Sequence, residues 1–256
     1  MTILMVERTG SYAIVTLNRP QVLNAINTAM LDLIDAALEK IETSDARALV
    51  LTGTGRAFCS GSDISGEEKH EGTTQDFANA RIARMHALIL RLLDFPKPSI
   101  AALNGLAYGG GLELALACTF RTASPSARLS LPEIKLGLMP AYGGTQLLPR
   151  LIGAGRALEL MLTGESIEAN EALKIGLVNA VDADPVAAAC GLADRLPGGA
   201  GIAQRTIRRA VTHGANLDLA AALEVERAAA AELAVSDEAK AGVMRFAARR
   251  QQKTPD

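Results

Sequence analysis

Residues 103–118 read LNGLAYGGGLELALAC, and this stretch leaves the chain little freedom. Before the three glycines, KPSIAALNG reads as a buried strand entered through Pro96 and Pro98. After them, the apolar run reads as a helix beginning near Gly110 or Gly111. Strand, glycine loop and helix in that order form half of a parallel crossover. The run carries one charge, Glu113. Burying a lone carboxylate costs several kcal/mol or forces its pKa upward. The fold must therefore give Glu113 partners or a use.

The same rhythm recurs along the chain. Residues 2–17 hold two alternating runs split by Thr9-Gly10, the pattern of a β-hairpin. NTAMLDLIDAALEKIETS places Leu31, Ile34, Leu38 and Ile41 on one helical face. ARALVLTG is a short apolar run closed by glycine, and RAFCSGSDISGEE reads as a loop before a helix from about Gln75 to Leu93. FRTASPSARLSLPE implies two more short strands. From about Gly143 the chain reads as mostly helical, with one late strand in GLVNAVDA. Pro197-Gly198-Gly199 then precedes two or three alanine-rich helices, one starting near Asn216 with Leu219, Leu223, Ala230 and Leu233 in a stripe. That stripe is expected to meet another subunit. The fold class is α/β with a mainly parallel sheet, and no 20–50-residue period repeats in the residue identities.

Composition excludes several functions. Of the 256 residues 49% are apolar and 21% charged, and the net charge of −2 offers no footprint for nucleic acid or an anionic membrane. Cys59, Cys118 and Cys190 are too few and too dispersed for a disulfide framework or a structural zinc site, so a reducing, cytoplasmic setting is expected. No signal peptide and no membrane span is read. His70, His86 and His213 lack a serine or cysteine context resembling a nucleophile elbow, and no metal-ligand spacing occurs. GTGRAF lacks the third glycine of a dinucleotide fingerprint, and the triple glycine has no Lys-Ser/Thr after it.

What remains is two glycine loops at predicted strand ends, Ser60-Gly61-Ser62-Asp63-Ile64 and Gly109-Gly110-Gly111. Small residues let a ligand approach the backbone, and two convergent N–H groups make an oxyanion hole. Glu133 follows Pro132 in LSLPEIKLGLMP and joins Glu113 as a second candidate acid. Singly, each loop reads as a tight turn and each acid as structural. Together they are the parts that an acid/base enzyme acting beside a carbonyl needs.

Five ordered segments then identify the chain as similar to the crotonase superfamily, the enoyl-CoA hydratase/isomerase family. They are LNRPQVLNAI, AFCSGSDI, KPSIAALNGLAYGGGLELALAC, LPEIKLGLMPAYGGTQLLPRLIG and LTGESIEANEALKIGLVNAV. The resemblance implies a spiral of ββα units over residues 1–199 and a helical trimerisation region over 200–256. It implies a homotrimer or a dimer of trimers, an acyl-CoA thioester substrate and no separate cofactor or metal. It implies that the N–H groups of Ser62 and Gly110 hold the thioester oxygen, and that Glu113 and Glu133 are the acid/base pair. Residues implied to line the substrate and coenzyme A site are Gln21, Val22, Leu23, Ser60, Asp63, Ile64, Gly109, Ala141 and Tyr142.

Both glutamates are retained, which favours a hydratase over an isomerase or another acyl-CoA enzyme of the family. An RNA-binding role, known for some relatives, would need a lysine-rich face that this chain lacks. Three departures stand out. Ala141-Tyr142 replaces a frequent Gly-Ala, Thr119 a frequent aspartate, and Gln21 a frequently basic residue near the coenzyme phosphates. The Arg249-Arg250 pair is a weak candidate for that charge, and a solvated helix end is the preferred reading of it.

Overall fold

The computed structural model describes residues 2–63, 74–198 and 201–251, with the side chains of 249–251 left aside. Strands β1 (Leu4–Thr9) and β2 (Tyr12–Leu17) form the expected antiparallel hairpin, with Gly10 at positive φ in its turn. Helix α1 (Thr28–Thr43) starts where the Asn27 side chain accepts the Met30 N–H, and it buries the predicted Leu31, Ile34, Leu38 and Ile41.

Three ββα turns follow. The first is β3 (Ala48–Gly53), β4 (Ala57–Cys59) and α2 (Gln75–Leu93). The second is β5 (Ser99–Leu103), β6 (Leu106–Tyr108) and α3 (Gly110–Leu116). The third is β7 (Phe120–Ala123), β8 (Arg128–Ser130) and α4 (Gly144–Ile152). Beyond them run α5 (Ala154–Thr163), β9 (Ile167–Glu168), α6 (Ala169–Lys174), β10 (Ala180–Val181) and α7 (Pro185–Asp194).

Each turn gives its first strand to a six-stranded sheet, β1-β2-β3-β5-β7-β10, and its second to a four-stranded sheet, β4-β6-β8-β9. Pairing within both is parallel except for β1–β2 and β8–β9. The single sheet expected from the strand rhythm is therefore two. Strand β4 lies in a segment read as loop, and β6 falls inside the glycine-rich stretch. Three-residue strands are too short to display an alternation, so their pairing is visible only in three dimensions. The repeat is likewise one of backbone path and burial, which dissimilar residues satisfy equally well.

Two compact units result: residues up to Leu93 with Pro98–Arg195, and Asp94–Lys97 with residues from Leu196 on. In the first, Tyr12, Val50, Ile100 and Ala102 of the larger sheet pack with Ala189, Leu192 and Ala193 of α7. The second holds α8 (Gly201–Gly214), α9 (Leu219–Ala234) and α10 (Asp237–Gln251). The Glu238 carboxylate accepts the N–H groups of Ile202 and Ala203 at the start of α8. Helix α9 begins later than the expected start near Asn216, because the Asp218 side chain caps it by accepting the Ala221 N–H. Its stripe faces outward in the chain taken alone: Leu219 is 75% exposed and Leu223 51%.

Candidate active site

The smaller sheet places both glycine loops. After β4, residues 60–63 run beside the segment before α1: Ile26 N–H donates to Gly61 O, Asp63 N–H donates to Ile26 O, and Ser60 N–H donates to Leu23 O. These bonds flank the Ser62 N–H and leave it out. After β6, Gly109 adopts φ +51° and turns the chain into α3, whose first residue is Gly110. The N–H groups of a helix's first turn have no intrahelical acceptor.

The two loops touch. A Cβ on Gly61 would lie 3.2 Å from Gly110 N, and one on Gly110 would lie 3.7 Å from Ser62 N. One residue on, a Cβ on Gly111 would stand 2.3 Å from the Cys59 carbonyl oxygen. Only glycine lets α3 approach β4 this closely. The run of glycines thus answers to a turn, a close contact and a helix start, one after another.

Glu113, on the first turn of α3, is 1% exposed. Its Oε1 accepts two backbone N–H groups at 2.8 Å, those of Tyr142 and Gly144. Burial pushes its carboxyl up to about 7; the two N–H groups oppose this and the neighbouring Glu133 adds to it. Glu133 sits in a short 3-10 helix, Pro132–Leu136, opened by the proline. Its Oε1 comes within 3.1 Å of where a Gly109 Cβ would be, so it faces the second glycine loop. Its Oε2 is buried without a hydrogen-bond partner among the described residues, and burial raises this carboxyl too. Glu133 thus faces the second glycine loop, Glu113 lies on the helix that this loop opens, and burial raises both carboxyls.

The other predicted residues occupy varied places. Pro20–Val22 forms a 3-10 turn, with Gln21 exposed and Val22 and Leu23 half-buried, and the Val22 carbonyl accepts the Ser60 hydroxyl at 3.4 Å. Asp63 is 5% exposed and its carboxylate pairs with Arg19 at 2.8 Å, fastening the loop to that turn. Ile64 lies outside the described residues, as does His70. Ala141 precedes Tyr142 in the segment beside Glu113, and the donors to Glu113 are the N–H groups of Tyr142 and Gly144. Thr119 exchanges hydrogen bonds with Ser99, a neutral pair at the position often held by aspartate.

Some contributors escaped the sequence reading. Asn24, at φ +58° and fully buried, donates to the carbonyls of Thr54 and Ala57 and accepts the Arg19 N–H. His86, read as an ordinary helix histidine, bonds the Ala141 carbonyl through Nε2 at 2.7 Å, steadying the segment that holds Glu113. Asn24 lies within the quoted LNRPQVLNAI; nothing in the sequence around His86 marks it.

Tyr142 has a further surrounding. Its ring carbon Cδ2 would stand 2.8 Å from a Gly110 Cβ, and its hydroxyl accepts the Ser62 hydroxyl at 2.9 Å. Ser62 and Tyr142 also bound a cavity of about 180 Å³ between α1 and α2. Leu31, Phe77, Ala80 and Met85 supply apolar wall, and Arg81 and Arg84 lie on the same wall.

Known proteins are similar to this chain in sequence and fold. The family model described as enoyl-CoA hydratase/isomerase matches residues 7–255. A short-chain-enoyl-CoA hydratase of Clostridium acetobutylicum is 38% identical over 250 residues, covering 96% of this chain and 95% of the relative. A crotonyl-CoA hydratase of Syntrophomonas wolfei is 33% identical over 255 residues, covering 96% and 95%. The crystal structure of an enoyl-CoA hydratase from Bacillus anthracis superposes with a TM-score of 0.88 at 34% identity, covering 100% of this chain and 98% of that one. With the paired sheets, the touching glycine loops and the two glutamates already in place, a match spanning nearly every residue makes the chain a member of the enoyl-CoA hydratase/isomerase family, within the crotonase superfamily.

Proposed function

We propose that the protein is an enoyl-CoA hydratase, adding water across the C2=C3 bond of a 2-enoyl-CoA thioester. The observation that carries this reading is the pair of acids set about the second glycine loop: Glu133 faces Gly109, where the two loops touch, and Glu113 lies buried on the helix that this loop opens. In the reaction, the N–H groups of Ser62 and Gly110 donate to the thioester oxygen and stabilise the enolate as it forms. One glutamate, ionised, takes a proton from water as the oxygen adds to C3. The other, protonated, delivers a proton to C2 as the enolate collapses. Burial raises both carboxyls, and the charge of Glu133 adds to this at Glu113, so a protonated acid and an ionised base coexist in the site. The steps move protons and one water, and they call on no metal or redox cofactor.

The orphaned Glu133 oxygen supports the assignment, because a buried acceptor without a partner is where a reacting water gains most. Relatives named hydratase, which align along nearly the whole chain, support it as well. We further infer a cytoplasmic enzyme that acts as a trimer or a pair of trimers. Supporting the assembly are the apolar side chains that α8 to α10 leave exposed, among them Val211 at 67%, Leu219 at 75% and Phe246 at 65%. No helix among the described residues is long and apolar enough to cross a membrane.

The test is hydration of crotonyl-CoA, followed by loss of its conjugated absorbance. Glu133→Gln is expected to lower the rate by roughly 10²–10⁴-fold, the usual worth of a general acid/base. A variant as fast as wild type would overturn the two-carboxylate mechanism. Conversion of a 3-enoyl-CoA to its conjugated isomer, without hydration, would assign an isomerase instead.

A further inference from the structure

Tyr142 belongs both to the reaction centre and to the cavity behind it. On one side its ring lies against Gly110 and its main-chain N–H holds Glu113. On the other, with Ser62, it walls the cavity between α1 and α2, to which neither glutamate contributes among the described residues. The Ser62 hydroxyl donates to the Tyr142 hydroxyl, joining two residues that both line the cavity. An acyl chain whose carbonyl oxygen sits on the N–H groups of Ser62 and Gly110 therefore meets the tyrosine ring as it extends.

The cavity suits hydrocarbon. Leu31, Phe77, Ala80 and Met85 supply its apolar wall. Arg81 and Arg84 share it, the latter paired with Asp32. At about 180 Å³ it compares with an engineered apolar cavity of roughly 150 Å³ that holds benzene, so it admits several carbons or one ring.

We propose that Tyr142 is the acyl-specificity residue of this enzyme: with its bond to Ser62 closed it confines the site to short enoyl chains, and longer chains enter the cavity only when that bond opens. This rests on the hydratase reading above. Its consequence is a substrate class: short, unbranched 2-enoyl thioesters are preferred, and medium-length ones become substrates when the ring is removed.

The experiment compares kcat/KM for crotonyl-CoA and trans-2-octenoyl-CoA in wild type, Tyr142→Ala, Tyr142→Phe and Ser62→Ala. All three substitutions keep the main-chain N–H groups. Wild type should favour crotonyl-CoA, and Tyr142→Ala should raise the octenoyl-to-crotonyl ratio at least about tenfold. Tyr142→Phe and Ser62→Ala each remove one hydroxyl of the same bond, so each should raise the ratio by about threefold. Their combination should go no further than either alone. A ratio unmoved by Tyr142→Ala overturns the proposal, and so does full additivity of the two hydroxyl deletions. Should Tyr142→Ala fail to fold, the two single-atom deletions carry the test. Hydration of neither substrate by wild type would instead refute the hydratase reading, which separates the two failures.

Discussion

Glu113 keeps its carboxyl away from water and still receives two N–H groups, and these opposing influences set its chemistry. Burial is the larger, so the folded chain holds a proton there up to about pH 7, whereas an unfolded glutamate releases it near its ordinary value of 4.5. A folded state that binds the extra proton is favoured at low pH, and this advantage fades as pH rises from 4.5 through 7. The shift corresponds to on the order of 3 kcal/mol. Between pH 4.5 and 8, urea denaturation should therefore show wild type losing stability relative to Glu113→Gln by about that amount. Parallel stability curves would contradict it. At this scale the sequence was informative where a residue was out of place. A charge in an apolar run pointed to Glu113, whereas the burial of Asp63 against Arg19 left no mark, since their neighbourhood joins segments far apart in the chain.

Helix α3 is seven residues long, too short to persist without tertiary support, yet it carries Glu113. Part of that support is Arg121, 3% exposed, which donates from Nε to the Leu177 carbonyl at 2.7 Å and from Nη1 to the Cys118 carbonyl at 2.8 Å and the Ala115 carbonyl at 3.4 Å. The cation lies where the helix ends and carbonyls cluster, which offsets the burial that works against its charge. Arg121→Met would strip the donor from these buried carbonyls. The expected loss is about 2–4 kcal/mol of unfolding free energy by chemical denaturation. A loss below about 0.5 kcal/mol, typical of a surface change, would show that the clamp is dispensable. An element with a full period, such as α1, was legible from its stripe. Strands β4 and β6 were not, because three residues carry no period and gain their identity from a neighbouring strand.

For the molecule as a whole, the exposed apolar residues of α8 to α10 are what the proposed assembly would cover. Sedimentation of the wild type should give a trimer or hexamer, and Leu219→Glu combined with Phe246→Glu should shift it toward monomer. A wild-type chain sedimenting as monomer would contradict the proposed assembly. By itself the sequence determined the alternation of strands and helices, the two glycine loops and the two acids, because periodicity, chain reversal and misplaced charge are local properties. Five segments in order were also enough to expect the family. Only the tertiary structure decided that the strands divide into two sheets and that the loops carrying Ser62 and Gly110 touch. Only it brought the Tyr142 ring onto Gly110 and the 142 and 144 N–H groups onto Glu113. These are contacts between segments remote in sequence, fixed by the packing of successive ββα turns on one another, and no window along the chain contains both partners.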